Sequence, residues 1–150
     1  TLMAFFIKDE FPEADMNKVM QMCVIHDLGE CFTGDIPAFV KTKAHEDTEA
    51  ALLNEWVQSL PEPARKEMQD LYREMDERKT LEAKIYKAID GLEAVIQHNF
   101  SDIGTWTENE YELNLTYAND KVEFSAYLSA LREQIRKQTL EKIAESGARE

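Results

Sequence analysis

Apolar residues recur three and four positions apart along most of this 150-residue chain, and no stretch alternates in the two-residue period of a strand. The spacing predicts helices throughout. Residues 1–9 carry an apolar face that ends at Glu10, before Phe11-Pro12; no capping residue precedes Thr1, which reads as a chain beginning inside a helix. Asp15 is placed to cap a second helix whose Met16, Val19, Met20, Cys23, Val24 and Ile25 run toward Asp27. Gly29, Gly34 and Pro37 break the pattern across residues 30–40 and predict a loop there. A third helix is expected over 44–58 with Ala51, Leu52 and Trp56 inward, and a fourth over 62–78 with Met68, Leu71, Tyr72 and Met75 on one stripe. Thr80 caps a helix over 81–98, whose inner face is Ile85, Ile89, Leu92 and Ile96 and whose interior Gly91 marks close packing or a site. Thr107 and Glu110 have capping-box spacing, and residues 122–144 read as a long closing helix.

Composition agrees with that pattern. Only five glycines and four prolines interrupt a chain rich in helix formers, so the expected fold class is all-α. A 43% hydrophobic fraction is enough to fill one core, and residues 1–150 read as a single domain without repeats or linkers. No apolar run approaches the ~18 residues of a membrane span, which points to a cytoplasmic protein with no membrane partner. Thirty acidic residues against seventeen basic ones give a net charge of −13, which repels a phosphate backbone and argues against long nucleic acid. A mononucleotide is compatible, because a few local lysines can hold it. The two cysteines have no zinc-type spacing and are expected to be buried, reduced thiols.

Chemistry concentrates in Ile25-His26-Asp27-Leu28-Gly29-Glu30, followed by Thr33-Gly34-Asp35-Ile36-Pro37. The His-Asp pair offers one nitrogen and one carboxylate, a mixed donor set that borderline divalent metals accept. If the helix continues one more turn, Glu30 shares the face of His26 and Asp27. On the dipeptide alone, the plain reading is a helix terminus with a surface Asp and Glu.

The longer context resembles the HD-domain metal-dependent phosphohydrolases, and within them the branch of 5'-deoxynucleotidases. HDLGECFTGDIP is similar to that branch's signature, and EAKIYKAIDGLEAVIQHN is similar to its helix bearing the last metal-ligand aspartate. The resemblance implies a compact HD-domain bundle of five to seven helices, with His26, Asp27 and Asp90 as ligands of one divalent metal ion (Mn, Co, Fe, Ni, Zn or Mg). It assigns Glu30 and Asp35 catalytic roles, Asp35 also a contact to the sugar hydroxyl, and Lys87 a place near substrate phosphate or beside the carboxylate cluster. The implied activity is release of phosphate from nucleoside 5'-monophosphates by a metal-activated water. The family's metal set also includes a histidine upstream of the pair, and this chain has none before His26. That ligand is expected on a segment preceding Thr1. His45 and His98 are read as surface or capping histidines. The closing helix, with Phe124, Leu128, Leu131 and Ile135 and a stripe widened by Tyr127, Leu140 and Ile143, together with the family resemblance, points to a homodimer. Two other readings stand beside this one: an HD hydrolase of a different nucleotide, and a non-catalytic acidic helical module with a decayed metal site.

Overall fold

The computed structural model describes residues 1–36 and 40–147, and Pro37 of the TGDIP stretch lies outside them. Among the described residues the regular structure is entirely helical. The helices are α1 (Leu2–Ile7), α2 (Met16–Ile25), α3 (Glu30–Thr33), α4 (Lys43–Ser59), α5 (Ala64–Glu77), α6 (Leu81–Phe100), α7 (Glu108–Thr116), α8 (Asn119–Val122) and α9 (Ala126–Gly147). Seven of these exceed a single turn, as the pattern predicts for an all-α bundle.

Helix α6 is the axis. Ala83, Ile85, Tyr86, Ala88, Ile89, Gly91, Leu92 and Val95 are all buried, because α2, α5, α8 and α9 pack around it. Gly91 is required by that packing: a Cβ there would lie 2.7 Å from the Ala118 Cβ. The predicted caps form. Asp15 accepts from the Asn17 and Lys18 amides, Thr80 from that of Ala83, and Thr107 with Glu110 closes a capping box. His45 forms a capping box with Thr42 at the start of α4, whereas His98 braces α7 by bonding Asn114 and lying beside the Trp106 ring.

Several expectations are corrected. Residues 30–33 form a helical turn rather than loop, ended by Gly34 at φ +79°. Cys31 on that turn is exposed while Cys23 is buried, because α3 stands off the core. The inward stripe of α4 is Glu49, Leu53 and Val57, four residues apart; Ala51, Leu52 and Trp56 are exposed, and Trp56 pairs instead with Phe32 of α3 at 6.5 Å between ring centroids. The closing helix starts at Ala126, so Phe124 lies outside it. Its buried seam is Leu128, Arg132, Ile135 and Thr139. Arg132 was not foreseen: its guanidinium donates to the Tyr117 and Asn114 carbonyls and satisfies the end of α7.

Candidate metal centre and active site

Helix α2 delivers His26 and Asp27 immediately after its last turn. Tyr72 of α5 pins that end by donating its hydroxyl to the Ile25 carbonyl at 2.7 Å. The chain then continues through tighter turns, with amides bonded three residues back at Leu28, Glu30 and Cys31. Glu30 therefore starts a separate helical turn instead of extending α2, so the condition for a face shared with His26 and Asp27 is not met.

His26 is oriented from both sides. Its Nδ1 lies 3.1 Å from the Cys23 carbonyl, which can only accept, so Nδ1 carries the hydrogen. That fixes Nε2 as the atom facing the site, 2.9 Å from Asp27 Oδ2 and 3.3 Å from Asp90 Oδ1. Tyr86 meets the imidazole edge-on at 5.8 Å. Asp90, from the middle of α6, is also held by Lys87 Nζ at 2.7 Å from Oδ2. Residues 64 positions apart thus meet as the motif requires.

The electrostatics follow from this crowding. Hydrogen bonds to Asp27 and Asp90 raise the His26 pKa to about 9, against the opposing effect of burial. Burial pushes Asp90 upward, but the hydrogen bond from His26 and the neighbouring Lys87 outweigh it and hold the carboxyl at about 2.

Glu30 has a different environment. Its pKa is raised by burial and by the negative charges of Asp27 and Asp35, with Lys41 opposing them. Lys41 Nζ stands 3.9 Å from Glu30 and 2.8 Å from Glu49 Oε2, the latter a charge contact without hydrogen-bond alignment. Glu49 lies across Gly29, where a Cβ would fall 2.7 Å from its Cγ, so only glycine admits this approach. Lys41 and Glu49 escaped the sequence reading; the only signal was Gly29, which marks a close approach without naming the partner. Asp35 is exposed beyond Gly34 and reaches Glu30 through charge alone.

A cavity of about 630 Å³ opens beside this group, between α4 and α5. His26, Lys41 and Glu49 line one end, while Leu53, Val57 and Met75 give it an apolar wall. Lys87 does not border it, facing a second cavity on the other side of Asp90.

The HD-domain family profile matches residues 1–132. This chain belongs to the HD-domain family. Among relatives of this HD domain, the 5'-deoxynucleotidase HDDC2 of Homo sapiens is 34% identical over 99 residues, covering 64% of the chain and 47% of its own length. The protein of the same name from Danio rerio is 33% identical over 107 residues, covering 69% of the chain and 52% of its own length. That from Dictyostelium discoideum is 27% identical over 128 residues, with coverages of 84% and 62%. The chain spans about half the length of the first of these relatives. No solved structure matches it significantly.

The family implies a divalent metal, and the donor chemistry fits one. The Nδ1–carbonyl bond fixes the imidazole tautomer as for a metal-ligating histidine, leaving Nε2 between two carboxylates. Among the described residues, however, no group of three or more His, Cys, Asp or Glu side chains surrounds a common point. Here the histidine and carboxylates bond one another directly.

Proposed function

We propose that this HD domain is a metal-dependent phosphohydrolase that releases phosphate from (deoxy)ribonucleoside 5'-monophosphates. The observation that carries the reading is the convergence of His26 with Asp90, 64 positions later, with His26 Nδ1 bonded to the Cys23 carbonyl and Nε2 turned toward both carboxylates. His26, Asp27 and Asp90 would hold the ion. A divalent ion there supplies a Lewis-acid centre that polarises a phosphoryl oxygen and makes water more acidic. Glu30, with its raised pKa, accepts a proton from the attacking water or returns one to the leaving 5'-oxygen. Asp35 meets the sugar hydroxyl, Lys87 neutralises Asp90, and Lys41 faces the substrate phosphate from the opposite side. The 630 Å³ cavity has the size of a small-ligand site, and its apolar wall suits the nucleoside. The names of the relatives support 5'-deoxynucleotidase chemistry, and the protein acts as a cytoplasmic homodimer in this reading.

The test is phosphate release from deoxyribonucleoside 5'-monophosphates with Mn or Co ions. Asp27→Ala and Asp90→Ala abolish it. Release that persists in chelator and in both variants contradicts the proposal.

A further inference from the structure

A chain with thirty acidic and seventeen basic residues gathers four of its cations around one cavity of about 490 Å³. Arg78, Lys84, Lys87 and Lys121 line it, on the side of Asp90 away from His26. Asp120 and Glu123 are the acidic residues there; Asp120 is largely exposed and stands 3.8 Å from Lys121, too far for a tight pair. Arg78 and Lys84 have no ion-pair partner among the described residues, although carboxylates outnumber them across the chain.

Lys87 and Lys121 are held by their neighbours, whereas Arg78 and Lys84 are exposed at the rim. Lys121 is half-buried, with its ammonium 4.3 Å from the Tyr117 ring centre and its stem against Gly91. Lys87 is fixed between Asp90 and the Tyr86 ring. Arg78 ends α5 in the left-handed region, at φ 51°. Glycine is preferred at such a position, and an arginine there carries a backbone cost. That cost sets a guanidinium on the border between this cavity and the larger cleft, since Arg78 lines both. Phe124 supplies an aromatic edge that no core residue covers, being 37% exposed.

Converging cations with unspent donors recognise a dense oxyanion, and an aromatic edge beside them suits a base. We propose that this second cavity binds a phosphate group, separately from the metal centre, with Arg78, Lys84 and Lys121 as its donors. Lys87 contributes least, because its charge already serves Asp90.

The experiment is titration calorimetry of the intact chain in chelator, which removes any metal-held phosphate, with inorganic tripolyphosphate and with a nucleoside triphosphate as probes. Saturable binding is expected, weakening steeply as salt is raised. Lys84→Gln with Lys121→Gln keeps the packed stems and loses the charges; circular dichroism checks that the fold is unchanged. This double variant binds both probes at least tenfold more weakly, while Asp27→Asn binds them as the parent does. Tighter binding of the nucleoside triphosphate, lost in Phe124→Ala, makes the ligand a nucleotide; equal binding of the two makes it an inorganic phosphate, and both results uphold the site. No saturable binding, or unchanged affinity in the double variant, overturns it.

Discussion

His26 and Asp90 sit where α2 and α6 pack together, on the best-buried part of the molecule, whereas Glu30 stands on a four-residue turn with no buried residue. The two halves of the site therefore rest on different foundations. The half that would hold an ion is positioned by the core: the Cys23 carbonyl, Tyr86 and Lys87 leave His26 and Asp90 little freedom. The half that would move a proton hangs on Gly29, Gly34 and one lysine shared with Glu49. Ion binding and fold stability should respond together in the first region, and turnover should change alone in the second.

The largest effect is expected at Asp90. Asp90→Asn removes a charge that both His26 and Lys87 face, so metal binding falls below detection and stability drops by about 1–3 kcal/mol, measurable by calorimetry and by urea unfolding. Glu30→Gln should do the reverse, lowering kcat by roughly 10²–10⁴ with metal affinity retained and unfolding changed by less than about 0.5 kcal/mol. A drop in stability as large as that of Asp90→Asn would erase the contrast between the two regions.

What the sequence allowed one to see follows the same division. Caps and long helices were legible because Asp15, Thr80 and Thr107 satisfy amides a few residues away, and the stripe Ile85, Ile89, Leu92 repeats on one helix. The motif residues His26, Asp27 and Asp90 were legible through resemblance, since no local signal brings residues 64 positions apart into contact. Lys41 and Glu49 were not legible: their placement depends on how α4 lies over Gly29, and α4 itself was assigned the wrong inward face at Leu52 and Trp56. A helix carrying apolar residues on two sides leaves that choice to tertiary packing. Arg132 escaped for a similar reason, being an ordinary helical arginine until α7 presents its carbonyls.

Acidity separates the regions next. A group whose pKa is raised on folding stabilises fully below its unfolded value and loses that contribution as pH rises through the folded one, so His26 supports the metal-free fold below about 6.5 and ceases to by about 9. Asp90, held at about 2, contributes above its usual 3.8 and loses this only as pH falls toward 2. The metal-free melting temperature should then fall by about 2–6 °C between pH 6.5 and 9, while metal affinity rises over the same interval as the imidazole proton leaves. Scanning calorimetry with and without Mn follows both. A melting temperature flat over that interval would mean that the His26 pairing contributes little to the fold.

The smallest effect is expected at Lys41. It alone opposes the carboxylates that raise the Glu30 pKa, so Lys41→Gln moves the acidic limb of the pH–rate profile to higher pH and leaves the melting temperature within a degree or two. A limb that stays in place would remove Lys41 from the environment of Glu30.

The most direct measurement pairs Mn calorimetry with phosphate release from a deoxyribonucleoside 5'-monophosphate, run side by side on the parent, Asp90→Asn and Glu30→Gln. The account predicts that the parent binds the ion and turns over, that Glu30→Gln binds the ion without turnover, and that Asp90→Asn does neither. Equal metal affinity in the parent and Asp90→Asn, or phosphate release surviving in both variants, would contradict it.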